Sequence, residues 1–264
     1  MTSAVLTAPE PASRPRPGDV EGQLVYAIGD VHGCYDLFRD LLARIAADAA
    51  ASAQGRRPII IQLGDLIDRG PQSAQVVEAA AWLQRRGDIE FQQLMGNHER
   101  AMLDFLEQPG PHDWLMFGGD ATLRSYGVEP PETGAPPTRF VEARDAMLEQ
   151  MPASHLHCLE HAESMLVLGD YAFVHAGIRP GTPLAEQGDD ALLWIGGEFT
   201  ASNARFEKII VHGHTIEEQA CIRPNRIGID TGAYRSGILT AIRIEDGDVR
   251  LIQTGEERGD VTRV

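Results

Sequence analysis

The sequence predicts an α/β (α+β) fold built on two sheets, and three observations predict it. In the first half, short apolar runs alternate with helical patterns, as a mixed or parallel sheet with crossover helices requires. In the second half, strand-like runs recur with few helical patterns between them, which points to a second, largely antiparallel sheet. Polar segments bounded by glycine follow the strands of both halves.

The elements follow in order. Leu24–Ile28 is an apolar run of strand length, and the helix after it sets Leu37, Leu41, Leu42 and Ile45 on one face. Pro58–Leu63 is rich in isoleucine and reads as a second strand, followed by a helix with Val76, Val77, Ala80 and Leu83 on one stripe. Ile89–Met95 is a third strand, and Met102, Leu103 and Leu106 mark the helix behind it. The strand-like segments of the second half are Met165–Val174, Lys208–Val211, Arg226–Ile229, Gly237–Ile244 and Asp248–Ile252. Glu245-Asp246-Gly247-Asp248 reads as a hairpin turn.

Residues 23–255 are expected to form one domain, with a less regular, cap-like insertion at about 110–163 that contains the turn-rich VEPPETGAPPT. Residues 1–22, rich in Pro and small side chains, are expected to be a flexible tail, and 256–264 a C-terminal tail. No apolar stretch reaches the ~18 residues that span a membrane. The net charge of -16 repels phosphate backbones and anionic lipid, which excludes nucleic-acid and membrane binding as expectations. Cys34, Cys158 and Cys221 are odd in number and widely spaced, which suits a reducing compartment, the cytoplasm by default.

The glycine-bounded segments carry the chemistry. They are Gly29-Asp30-Val31-His32-Gly33, Gly64-Asp65-Leu66-Ile67-Asp68-Arg69-Gly70, Gly96-Asn97-His98-Glu99, His175-Ala176-Gly177 and His212-Gly213-His214-Thr215. Each follows a predicted strand, where open α/β sheets place ligands. Residues i and i+2 of an extended strand end point the same way, so Asp30 and His32 can chelate one ion together. Asp65 has two oxygens with which to bridge two ions, Asn97 offers an amide oxygen, and His175 and His214 offer imidazole nitrogens. This mixed N/O set suits manganese, iron or zinc. Two ions ~3.5–4 Å apart clamp a phosphoryl group and activate a water, a complete device for cleaving phosphate esters.

GDVHG, GDLIDRG, GNHE, HAG and VHGHT, in that order, resemble the calcineurin-like metallophosphoesterases. The DRG and GNHE forms, with WLMFGGDATLRSYG and IGIDTGAY, are similar to the bacterial serine/threonine phosphoprotein phosphatases. The resemblance spans Leu24 to Ile244 and implies a two-sheet β-sandwich flanked by helices. It implies that Asp30 and His32 bind a first metal, that Asp65 bridges, and that Asn97, His175 and His214 complete a second. It further implies that His98 is the general acid, that Asp68 orients it, that Arg69 grips phosphate oxygens, and that metal-bound water is the nucleophile. The expected substrate is a phosphorylated protein or a small phosphoester. The oligomeric state stays open.

One departure stands out. Bacterial relatives carry a phosphate-binding arginine after Leu-Trp-Ile, whereas this chain has Gly196 and Gly197 after Ile195. Arg179, Arg205 and Arg235 are the candidates to substitute for it. Two rival functions remain in view: a dinucleoside polyphosphate hydrolase, which shares the metal motifs, and a catalytically quiet binding protein with a relict site. His112, His155, His157 and His161 read as surface or core histidines, whereas His212 shares the i, i+2 face of His214. Trp82, Trp114 and Trp194 read as packing residues, the last two near the mouth of the site, and Cys34 as a buried thiol.

Overall fold

The computed structural model describes residues 18–111, 113–255 and 262–263. The chain runs β1 (Val25–Ile28), α1 (Tyr35–Ser52), β2 (Ile59–Gln62), α2 (Ser73–Gln84), β3 (Glu90–Gln93) and α3 (Asn97–Glu107). A 3₁₀ turn, Asp113–Phe117, leads into α4 (Gly119–Ser125), α5 (Pro137–Gln150) and α6 (Ala153–Glu160). Then come β4 (Met165–Leu168), β5 (Tyr171–Val174), α7 (Asp189–Trp194), α8 (Gly197–Thr200), β6 (Ile209–His212), β7 (Cys221–Ile222) and β8 (Arg226–Gly228). The chain closes with α9 (Ala233–Ser236), β9 (Thr240–Glu245), β10 (Asp248–Gln253) and β11 (Thr262–Arg263).

Two mixed sheets result. The first has the order β11-β10-β9-β1-β2-β3, with β1, β2 and β3 parallel and β9 antiparallel to β1. The second has the order β4-β5-β6-β8-β7. The strand period of two sorts the core. Val25 and Ala27 of β1 face the second sheet with Ile59, Ile61, Phe173, Val211, Ile227, Ile242 and Ile244. Tyr26, Ile28 and Ile60 face the other way, into the core beneath the helices with Phe38, Leu41, Ile45, Val76 and Val77. Every residue of β1 and β2 is therefore buried, which is why these strands read as continuous apolar runs. The outer face of the second sheet is covered by a third cluster that includes Val174, Ile210, Leu192 and Phe199. This is the sandwich flanked by helices.

Three expectations need correction. The second sheet is not largely antiparallel: β5, β6 and β8 are parallel, and only the outer pairs run antiparallel. The crossover between β5 and β6 carries α7 and α8, which at 6 and 4 residues are too short to show a helical period. β9 and β10 belong to the first sheet, joined by a turn whose Asp246 and Gly247 both have positive φ, as tight hairpins favour. Met165–Val174 is a hairpin, not one strand, and turns at Gly169, which has φ +56°.

The stretch 110–163 is mostly helical and contributes Phe140, Ala143, Met147, Cys158 and Leu159 to the helix-side core. Its turn-rich segment is the connection between α4 and α5. Residues 1–17 of the expected N-terminal tail lie outside the described residues, but Val20 is fully buried and the Asp19 N–H donates to Asp170. At the other end, Thr262–Arg263 pair with β10. Among the described residues no helix is long and apolar enough to cross a membrane.

Candidate active site

The polar segments meet where the parallel strands of both sheets end. β1 runs into Asp30 and His32, β2 into Asp65–Arg69, and β3 into Gly96, from which α3 starts at Asn97. β5 delivers His175, and β6 delivers His214. The backbone is unusual here: His32, Asp65, Asp68, Arg69 and His214 all have positive φ, between 46° and 74°. Left-handed non-glycine residues cost energy and collect at functional sites.

Two groups of side chains could each hold a metal ion, and Asp65 belongs to both: His32, Asp65 and His98, and Asp65, His175 and His214. Its carboxylate divides between them. Oδ2 lies 3.4 Å from Nε2 of His32 and 3.8 Å from Nε2 of His98, and Oδ1 lies 3.5 Å from Nε2 of His175. Asn97 joins the second group, its Oδ1 lying 2.8 Å from Nε2 of His175 and 3.0 Å from Nδ1 of His214.

The donor chemistry fits metal ions. Nδ1 of His32 meets the Ile67 carbonyl at 2.9 Å, and Nδ1 of His175 meets that of Leu63 at 2.8 Å. Each carbonyl takes the ring proton on Nδ1 and leaves the Nε2 lone pair facing the site. Burial holds both rings neutral: it pushes His32 down to about 3 and lowers His175. Burial and His175 together lower His214 to about 4. Asp65 behaves oppositely. Burial would raise it, but the four surrounding histidines hold it well below the usual carboxylate range.

Asp30 is placed differently from expectation. β1 ends at Ile28 and His32 is left-handed, so the two residues do not sit on an extended strand end. Asp30 is not in either three-residue group; its carboxylate accepts the His214 N–H at 3.0 Å. Burial, with Asp230 and Asp65 nearby, raises its pKa. Gly213 allows this approach, since a Cβ there would lie 2.0 Å from Oδ1 of Asp30.

Asp68, His98 and Arg69 form one chain of contacts. Nδ1 of His98 lies 2.6 Å from Oδ2 of Asp68, and Nη2 of Arg69 lies 3.2 Å from its Nε2. Burial works against a charged His98, but Asp65 and Asp68 outweigh it and raise its pKa. Trp114 donates to Asp68 at 2.9 Å and Thr122 at 2.6 Å, so the 113–125 stretch fixes the acid from behind. Arg69 is exposed, and its guanidinium lies 4.7 Å from the Tyr234 ring centroid.

Sequence reasoning gave Glu99 and Asp230 no role. Glu99 is fully buried and accepts the backbone N–H groups of Asp65, Leu66, Ile67 and Gly96. It fastens the loop after β2 to the start of α3. Asp230 is buried beside Asp30, and burial pushes its pKa up to about 6. For Asp230 the available signal was a lone acid inside the apolar, glycine-containing IGIDTGAY; for Glu99 it was only its place next to His98 in GNHE.

The remaining candidates separate cleanly. His212 packs on Phe199 and is in neither group. His155 is bonded to Tyr126 and Glu78, His157 and His161 stack on each other, and His112 lies outside the described residues. Trp114 is buried behind Asp68, whereas Trp82 and Trp194 are exposed. Arg179 is taken by Asp190 at 2.6 Å. A Cβ at Gly196 or Gly197 would meet nothing within 4 Å, so the place where the resemblance implies an arginine is open.

Comparison with known proteins agrees with this geometry. Residues 24–252 match the calcineurin-like phosphoesterase family. The chain is 28% identical to serine/threonine-protein phosphatase 2 of Escherichia coli K12 over 233 residues, 84% of this chain and 93% of that one. It is also 28% identical to the asymmetrical bis(5'-nucleosyl)-tetraphosphatase PrpE of Geobacillus sp. strain WCH70 over 234 residues, 82% of this chain and 88% of that one. The crystal structure of a cold-active protein-tyrosine phosphatase from a psychrophilic Shewanella shares the fold, with a TM-score of 0.62, 18% identity, and coverage of 91% of this chain and 80% of that one. With its strand-end His/Asp clusters and a match over nearly its whole length, the chain belongs to the calcineurin-like phosphoesterase family.

Proposed function

We propose that this chain hydrolyses phosphate monoesters of proteins or small molecules with two divalent ions held by Asp30, His32, Asp65, Asn97, His175 and His214. The observation that carries the reading is the division of Asp65, one oxygen towards His32 and His98 and the other towards His175. Manganese is the first candidate, with iron or zinc behind it, because the donors mix imidazole nitrogen with carboxylate and amide oxygen. Bound ions would draw charge from the phosphoryl oxygens and acidify a water.

The chain's own groups do the rest. Asp68 holds the proton of His98 on Nδ1, so Nε2 is the atom that presents a proton to the departing oxygen. Arg69, exposed and braced by Tyr234, binds phosphate oxygens through its guanidinium fork. The free thiols Cys34, Cys158 and Cys221 support a reducing compartment, the cytoplasm.

The second reading, a dinucleoside polyphosphate hydrolase, is favoured by the relative of that name at equal identity. Competition between a phosphopeptide and a dinucleoside tetraphosphate, with manganese present, separates the two. A higher kcat/KM for the phosphopeptide supports the monoesterase. Preference for the dinucleotide overturns it, and the absence of turnover on either substrate would support the quiet binding protein.

A further inference from the structure

The second sheet ends in an edge strand, β7, that carries Cys221. Behind it lies Arg226 of β8, only 2% exposed. A buried guanidinium normally meets a carboxylate. Among the described residues Arg226 forms no ion pair with one. Its Nη2 donates to the Thr200 carbonyl at 2.6 Å, its Nη1 donates to Sγ of Cys221 at 3.1 Å, and its Nε is buried without a partner. Arg223, exposed and two residues along from Cys221, has its charge stabilised by the Cys221 side chain, and its backbone N–H closes the hairpin on the Arg226 carbonyl at 2.8 Å. Glu217 is the acid whose charge Arg223 feels.

Cys34 and Cys158 each sit beside an oxygen acceptor instead. Burial pushes Cys34 up to about 11 and Cys158 up to about 12, and Cys158 donates to Gln93. Cys221 is half-buried at the sheet edge, with the Arg226 guanidinium on its sulfur and Arg223 in the same hairpin.

We infer that Cys221 is a reactive thiol, set against Arg226 and near Arg223 so that hydroperoxides oxidise it to a sulfenic acid. As sulfur attacks a peroxide oxygen, the S–O bond forms and the O–O bond breaks. Sulfur loses two electrons, and the departing oxygen takes the thiol proton and leaves as water or an alcohol. Negative charge that gathers on sulfur during attack meets two guanidinium groups, the surroundings that distinguish reactive cysteines from inert buried ones. The sulfenic oxygen is an acceptor for the same donors.

The test uses the full, reduced chain. Iodoacetamide labelling at neutral pH, read by peptide mass, is expected to modify Cys221 at least about tenfold faster than Cys34 and Cys158. Hydrogen peroxide followed by a dimedone trap is expected to leave its adduct on Cys221. Arg223→Ala, on the surface, is expected to slow both reactions severalfold, with Arg223→Lys restoring part of the rate. Arg226→Lys is expected to slow them too, and the Arg223 pair keeps the test standing if that variant does not fold. Labelling of Cys221 no faster than of a cysteine in an unstructured peptide, no trapped sulfenic acid, or a rate indifferent to Arg223 would each overturn the inference.

Discussion

Asp68 lies behind His98, its Oδ2 2.6 Å from Nδ1 of the imidazole, and is itself held by Trp114 and Thr122. The ring is thereby fixed in one orientation with Nε2 towards Arg69 and Asp65. If His98 delivers the proton, the need for it depends on the leaving group. His98→Asn is expected to reduce kcat by ~100-fold or more on an alkyl phosphate such as phosphoserine. The loss on para-nitrophenyl phosphate, whose leaving group departs as an anion, is expected to be much smaller. Asp68→Asn follows the same pattern with a smaller amplitude. Equal losses on both substrates would remove His98 from the acid role.

Glu99 gathers four backbone N–H groups from two segments that carry proposed metal ligands. Glu99→Ala leaves these donors buried without acceptors, so it is expected to destabilise the fold by roughly 3 kcal/mol or more. Urea unfolding read by circular dichroism measures this. A midpoint equal to that of the parent would show that the clamp is not stabilising.

Gly196 faces open space at the position where the family resemblance implies a phosphate-binding arginine. Gly196→Arg is expected to lower the KM for phenyl phosphate by about tenfold, as one added charge-assisted contact allows. Initial-rate kinetics at saturating manganese give the answer, and an unchanged KM would mean that a cation at this position does not reach the substrate.

Much of the site could be read from the sequence because its residues sit in short segments next to strong strand signals. The apolar runs at β1 and β2, buried on both faces, made those strand ends visible. The topology of the second half was harder. Nothing in a four- to six-residue strand says which sheet it joins, and β9 pairs with β1 across more than two hundred residues of chain. The pairing of Asp30 with His32 by an i, i+2 argument fails for a local reason: the extended strand end is lost once His32 turns left-handed. Glu99 and Asp230 stayed hidden because their partners are backbone amides or distant side chains, which leave no pattern in the sequence.

The division of Asp65 between the two groups is the centre of the account, and one measurement tests it most directly. Metal-stripped protein is assayed for phosphate release from para-nitrophenyl phosphate with manganese added back, beside Asp65→Asn. The account predicts that manganese restores turnover to the parent and that the variant stays inactive while keeping its fold by circular dichroism. A parent that stays inactive with every divalent ion tried, or an Asp65→Asn variant that turns over like the parent, would contradict it.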